Sequence, residues 1–187
     1  MKHPIHTLLI ALIPLLLLGG CSSKQLYTFG DTANITPNGR ENHLFIAVEK
    51  VELPIYFMDS PIYRKSTPYH LEKMDNANWI HSMDEHLTNV LITYLQKSLN
   101  NPNIYAYPWS DINKMDKKIS LHITQLIAYQ QIVHLEANYQ ILDKQTRKLS
   151  NHLFSTHTPM QDASIESMLH AMEKSYFTLV EEIKSKL

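Results

Sequence analysis

The hydrophobic pattern in the second half of the chain has a period of two, which is typical of half-buried β-strands. Apolar and polar residues alternate along three successive segments that are separated by short polar links. These segments are residues 119–127, 133–141 and 149–156, with apolar positions at Ile119, Leu121, Ile123, Ile127, Val133, Leu135, Ala137, Tyr139 and Ile141. Strands joined by short links pair with their neighbours, so the pattern predicts an antiparallel meander.

Two other stretches repeat their apolar residues every three or four positions, which predicts amphipathic helices. The first helix is predicted from Trp79 to Leu99, with Asn76 or Asn78 as its cap, and the second from Ser164 to Leu187. The apolar stripes are formed by Met83, Leu87, Val90, Leu91, Tyr94 and Leu95, and by Ile165, Met168, Leu169, Met172, Tyr176, Leu179, Val180 and Ile183.

Shorter strands precede the first helix and separate it from the meander. They are residues 26–29, 44–53 and 104–107, and a hairpin formed by residues 62–64 and 69–71. The apolar side switches near Glu49 and Lys50, which predicts a bulge or burial on both faces. The order of elements predicts an α+β fold, a single two-layer domain in which two amphipathic helices cover a mixed or antiparallel sheet.

The N-terminus has the organisation of a secretory signal peptide. Lys2 is followed by a stretch without polar side chains, Leu8–Leu18, which is shorter than the roughly 20 residues that span a bilayer. The small residue Gly20 then precedes Cys21, the one cysteine of the chain. We predict a signal peptide over residues 1–20, cleaved between Gly20 and Cys21, and a mature domain over residues 21–187. An ordinary secretory signal with a chance cysteine and an uncleaved membrane anchor are the alternatives.

The four residues Leu18 to Cys21 resemble the lipobox of bacterial lipoproteins. The resemblance implies a diacylglycerol on the sulfur of Cys21 and an N-linked acyl chain, such as palmitate, on its new amine. Several chains anchor a protein stably because each buried CH₂ contributes about 0.8 kcal/mol. Ser22 is not aspartate, and in a Gram-negative cell this implies export to the periplasmic face of the outer membrane.

Composition excludes several classes of function. The mature chain has 16 basic and 18 acidic residues, so it carries no basic footprint for nucleic acid. Only four glycines are present, two of them in the signal peptide, so no phosphate-binding glycine loop can be written. The histidines and carboxylates show no spacing that favours a metal site or a catalytic group. We therefore expect no catalytic residue, no metal and no cofactor beyond the acyl chains on Cys21.

Several segments of the mature chain resemble PqiC-like lipoproteins, also called ABC-type transport auxiliary lipoproteins. They are residues 27–29, 45–56 and 60–64, Trp79 within its helical pattern, residues 119–127 and 135–139, and the C-terminal helix. The resemblance implies that the chain is not an enzyme but a docking and assembly component of an intermembrane phospholipid transport system of the MCE/Pqi type. The implied partners are an MCE-domain protein and the membrane permease of that system, with a homo-oligomeric ring as one arrangement open to it.

The segment between the second strand and the predicted hairpin is the candidate docking site. It contains Leu53, Pro54, Tyr56, Tyr63 and Arg64, and its prolines break regular strand pairing. An aromatic set in and just after this segment could present an apolar surface to lipid or to a partner, or it could cap the end of the sheet core; it consists of Tyr56, Phe57, Tyr63 and Tyr69.

Two other functions stay open at the level of the sequence. One is an envelope-scaffold lipoprotein that binds peptidoglycan or an assembly machine. The other is a periplasmic hydrolase, for which the sequence offers no suitable spacing of serine, histidine and acidic residues.

Overall fold

The computed structural model describes residues 24–37, 43–80, 82–109 and 114–187. Eight strands and two helices lie within these ranges, with a 3-10 turn at Ile55–Phe57. The strands are β1 (Gln25–Tyr27), β2 (Ile46–Val48), β3 (Pro61–Thr67), β4 (His70–Trp79), β5 (Ile104–Ala106), β6 (Lys117–Tyr129), β7 (Ile132–Asp143) and β8 (Lys148–Pro159). The helices are α1 (Met83–Ser98) and α2 (Ile165–Lys184).

All eight strands belong to one mixed sheet, with β6 at its centre. On one side, β6, β7 and β8 form an antiparallel meander, as the alternating pattern predicts. On the other side, two short strands run parallel to opposite ends of β6: Ile46 of β2 lies beside Lys117, and Lys65 of β3 lies beside Tyr129. Strand β5 flanks β2, whereas β4 and then β1 flank β3. The predicted α+β fold is confirmed, and the sheet is mixed.

The interruption between β2 and β3 begins at the predicted switch of faces. The amides of Glu49 and Glu52 still donate to carbonyls of β6, but the amide between them, that of Val51, donates to Thr88 Oγ1 of α1 at 2.8 Å. Val51 is thereby buried in the core with the side chains of β2. Because of the irregularity at Glu49–Lys50, the apolar side chains before and after it are buried in the same core.

Both helices pack against one face of the sheet and against each other. The five apolar residues predicted for β7 are all buried in this core, as are the stripes of the two helices apart from Ile165, which is partly buried. Tyr176 is fully buried, and its hydroxyl donates to the carbonyl of Leu87 at 2.7 Å, which links α2 to α1. Burial raises the pKa of Tyr176, so this hydroxyl stays a donor. At the start of α2, Ser164 accepts a hydrogen bond from the amide of Ser167, as expected of an N-cap.

Three expectations about residue placement are wrong. Trp79 does not open a helix: it is the last residue of β4, its amide donates to the Ser60 carbonyl at 2.7 Å, and α1 starts only at Met83. Neither Asn76 nor Asn78 caps the helix, because both lie within β4, where Asn76 has a φ of 56° at an irregular point of the strand. Ile127 does not share the face of the earlier β6 residues, because a register shift between Ile123 and Gln125 turns it to the opposite face.

Candidate functional site

The predicted lipidation site, Gly20 and Cys21, lies outside the described residues and stays a prediction. The structure does show how the mature chain joins the domain. Strand β1 runs parallel to β4, with Gln25 beside Ala77 and Tyr27 beside Trp79. Strand β1 forms an edge of the sheet, so the described chain enters the domain along that edge from Lys24.

The segment after β1 is fastened to both helices. The carboxylate of Glu173 in α2 accepts hydrogen bonds from the amides of Gly30 and Asp31, at 2.7 and 3.0 Å. Lys97 Nζ of α1 donates to the Thr32 carbonyl at 2.7 Å. Charge-assisted bonds are the stronger class of hydrogen bond, so they hold residues 30–32 firmly against the helical layer.

The predicted docking residues occupy different environments. Leu53 and Tyr56 are partly buried against the core, and the Tyr56 hydroxyl accepts a hydrogen bond from the amide of Leu126 in β6. Pro54 is half-buried and precedes the 3-10 turn. Tyr63 pairs with Lys73 in the β3–β4 hairpin, and the Arg64 guanidinium donates to Glu72 at 2.9 Å. The five residues thus lie along one stretch of chain, and Tyr56 is the one whose side chain is hydrogen-bonded to the central strand β6.

The aromatic residues around Trp79 form the packed end of the core. The rings of Phe57 and Trp79 are stacked, with their centroids 5.5 Å apart, and Phe29 meets Trp79 edge-on at 5.9 Å. Tyr56 lies against Phe57 at 5.3 Å. Tyr69 is different, since it is 98% exposed at the turn of the β3–β4 hairpin. Of the two interpretations of the aromatic set, core capping describes Tyr56 and Phe57, and surface presentation describes Tyr69.

Four exposed apolar side chains belong to residues that adjoin this packed end along the chain or across the β1–β4 pairing, and we call them the apolar rim: Leu26, Ile55, Met58 and Ile80. Ile55 is 84% exposed, and its carbonyl accepts the amide of Met58 across the 3-10 turn. Ile80 donates its amide to the Tyr27 carbonyl, beside Leu26. Sequence reasoning named the segment but missed Ile55 and Met58. Their three-residue spacing around a buried Phe57, between two prolines, was the available signal.

The open face of the sheet, opposite the helices, carries a polar cluster along β6. Glu49 accepts hydrogen bonds from Lys118 and Ser120, and these bonds lower its pKa although burial opposes the shift. Next to it, Glu52 lies 2.7 Å from His122 Nδ1. Each carboxylate is already occupied by a partner, so neither is arranged as a free general base. Within the described ranges, no three histidine, cysteine or acidic residues are placed to hold a metal ion.

Two histidines face each other across β7 and β8 on the same open face. The rings of His134 and His157 meet edge-on with centroids 4.7 Å apart. Burial, the neighbouring His157 and the cation of Lys65 lower the pKa of His134, and Glu136 opposes the shift. The lowered pKa favours the neutral form of His134 in the folded state, so this residue affects stability at acidic pH.

The sequence model of the ABC-type transport auxiliary lipoprotein component family matches residues 27–184, which include all the described elements apart from the start of β1. The chain belongs to this family. Membership makes it an auxiliary lipoprotein of an ABC-type transport system, and its partners are components of a transporter. In the part of the chain that the structure describes, no helix has the length and apolar character to cross a bilayer.

Solved structures share the fold of this transport auxiliary lipoprotein. The protein XCC0632 from Xanthomonas campestris, of the DUF330 family, is 17% identical, with a TM-score of 0.69 over 86% of this chain and 92% of its own. A second, uncharacterized protein is 16% identical, with a TM-score of 0.70 over 88% of this chain and 98% of its own. No curated protein matches the sequence.

Proposed function

We propose that this auxiliary lipoprotein docks a membrane-anchored MCE-domain protein and its permease, and so assembles a phospholipid transport system of the MCE/Pqi type. Acyl chains on Cys21 hold it at the periplasmic face of the outer membrane. It acts through position and contact, without a catalytic step or a cofactor. A homo-oligomeric ring would multiply the same docking surface around one axis.

The observation that carries this proposal is the apolar rim beside the family's proline-bounded segment. Ile55 and Met58 are exposed, yet the turn that presents them is held by the stacked Phe57 and by Tyr56. A rigid, exposed apolar surface loses little conformational entropy on binding, which favours a docking role. Tyr63 and Arg64 continue the same segment into strand β3 of the hairpin.

The loss of affinity expected from removing one rim side chain is large enough to measure. Burying an isoleucine side chain at an interface contributes about 1.5–3 kcal/mol, and each 1.4 kcal/mol changes affinity tenfold. We therefore expect Ile55→Ser to weaken docking about tenfold or more. Leu153 is a matched control, because it is 91% exposed on β8, at the opposite edge of the sheet from β1.

The experiment is a pull-down of tagged protein from membranes in mild detergent, followed by mass spectrometry of proteins and phospholipids. Recovery of an MCE-domain protein or permease that falls with Ile55→Ser and persists with Leu153→Ser supports the proposal. Recovery of only cell-wall or assembly proteins overturns it in favour of an envelope scaffold. Equal recovery with both variants would leave the partner identified but remove the rim as the docking surface.

A further inference from the structure

The β3–β4 hairpin projects from one end of the sheet. Lys65 of β3 lies beside Tyr129, the last residue of β6, which then turns back at once through Gln130 and Gln131. Strand β3 instead continues to Thr67 before its own turn. The apex of the hairpin therefore extends past the β6–β7 turn by about two residues, or roughly 7 Å at the rise of a strand.

The side chains at this hairpin tip, which we define as residues 64–73, combine apolar exposure with positive charge. Tyr69 is 98% exposed and Leu71 is 40% exposed. The tip carries Arg64, Lys65 and Lys73 against the single carboxylate Glu72, so it is positive although the whole chain is slightly negative. An exposed tyrosine at a turn whose two strands carry cations has the chemistry of a surface that meets lipid headgroups.

The tip is held in shape by its own bonds. Thr67 pairs with His70 in the ladder, and the side chains of Ser66 and His70 lie 2.8 Å apart, from Oγ to Nδ1. The amide of Tyr69 donates to Thr67 Oγ1 at 3.3 Å. Tyr69 is therefore presented on an ordered turn.

The described start of the chain, at Lys24 and Gln25, lies on the side of β1 that faces the same end. Leu26 of β1 lies beside Asn78, which lies beside Pro61 of β3, and β1 is antiparallel to β3. Gln25 and Lys24, which precede Leu26, therefore lie from it in the direction from Pro61 to Thr67. Cys21 lies five residues before Leu26 and reaches at most about 17 Å. The span from Pro61 to Thr67 is about 20 Å, so the tip extends at least as far in this direction as five residues of chain can reach.

We propose that the hairpin tip rests on the phospholipid surface to which the chain is anchored, with Tyr69 in the interfacial layer and Lys65 and Lys73 facing anionic headgroups. This inference rests on the proposed lipid anchor at Cys21. The tip gives the anchored domain a second contact with the bilayer, and two contacts fix its orientation where one would leave it free to rotate.

The test uses the full-length, lipidated protein reconstituted in vesicles of phosphatidylethanolamine and phosphatidylglycerol. Tyr69→Cys carries an environment-sensitive fluorophore, and Thr146→Cys, exposed in the turn before β8 at the other end of the sheet, carries the same label as a control. Cys21 is the only native cysteine and is consumed by lipidation, so labelling is confined to the new site. We expect the label at position 69 to shift to the blue and to be quenched by acyl-brominated phospholipids, while the label at position 146 stays aqueous.

The outcomes separate this inference from the anchor on which it rests. Protein that floats with the vesicles while the label at position 69 stays aqueous overturns the hairpin contact and leaves the anchor intact. Protein that does not float overturns both. Replacing Lys65 and Lys73 by glutamine, or omitting phosphatidylglycerol, should reduce the quenching at position 69. Quenching that is unchanged in both cases would overturn the headgroup contact of the two lysines.

Discussion

At Gly30, a single added methyl group should disrupt the packing of residues 30–32 against the two helices. It has a φ of 101°, a conformation that side chains with a Cβ rarely adopt. A Cβ built on Gly30 would lie 2.7 Å from Cγ2 and 3.0 Å from Cγ1 of Val90. Val90 is 5% exposed on α1, so it has little room to move away. We therefore expect Gly30→Ala to be destabilising for two separate reasons.

The two costs can be estimated separately. A non-glycine residue in a sparsely populated backbone region costs about 1–3 kcal/mol. Overpacking a core by a methyl group costs about another 1–3 kcal/mol. Alanine also restricts the unfolded chain, which returns about 0.4–1 kcal/mol. The net loss for Gly30→Ala should be about 1–5.6 kcal/mol, whose upper half is a large part of the stability of an ordinary domain.

A double-mutant cycle with Val90→Ala isolates the steric cost. Val90→Ala alone should cost about 2 kcal/mol for lost burial and the cavity it leaves. The double variant should lose about 1–3 kcal/mol less than the sum of the two single variants, because the overlap is gone and only the backbone strain remains. Urea unfolding of the detergent-solubilised protein, followed by tryptophan fluorescence, measures all three variants. Additive losses would refute the overlap with Val90.

Three further predictions follow from the anchor, the aromatic end of the core and the histidine pair. Cys21→Ser should release a folded domain from the membrane fraction and impair transport; a variant that stays bound and active, by fractionation and transport assay, would contradict the anchor. Trp79→Ala should cost about 3–5 kcal/mol in urea unfolding, because it removes the ring stacked on the core, whereas a loss below about 1 kcal/mol would contradict that packing. Because the pKa of His134 is lowered in the folded state by burial, His157 and Lys65, the unfolded chain binds more protons, and stability should fall as the pH drops below about 6.5. Unfolding titrations over that range should show a shallower fall for His134→Gln, and an unchanged slope would contradict the assignment.

Local patterns were sufficient wherever the partner of an element is its neighbour in sequence. The meander of β6, β7 and β8 and the stripes of α1 and α2 follow directly from periods of two and of three to four. Each of these elements is long, so its apolar positions repeat often enough to fix both its type and its buried face. The two-layer arrangement then follows, because one sheet face and two helix stripes can cover each other.

The misplaced residues were those whose environment is set by distant parts of the chain. Trp79 fits a helical pattern because the residues after it do, but its ring packs against Phe57 and Phe29, and its amide bonds to Ser60. Ile127 fits the strand alternation, but one bulge reverses its face. The parallel pairing of β2 and β3 with opposite ends of β6 also has no local signature, since it depends on contacts far apart in sequence.

The candidate docking site was found as a segment but not as a surface. Proline spacing indicated that residues 53–64 leave regular pairing, and they do. Which side chains face solvent depends on the stacking of Phe57 on Trp79, which orients the 3-10 turn and leaves Ile55 and Met58 outside. Tertiary packing decides which side chains of the segment are exposed. Residue type alone therefore favours Tyr56 as a docking residue, although its hydroxyl is hydrogen-bonded to β6.

The positions of the rim and of the hairpin tip give the proposed anchor and docking surface different places on the domain. Strand β3 has Met58 shortly before its start and Tyr69 shortly after its end, so the two surfaces are separated by about 20 Å along the strand. If the tip lies on the bilayer, the rim is held away from it, where it would be accessible to the proposed MCE-domain partner. A rim variant should then lose partner binding while the tip keeps its contact with the bilayer. A tip variant should lose that contact while the protein keeps partner binding. Loss of both properties in either variant would show that one surface serves both purposes.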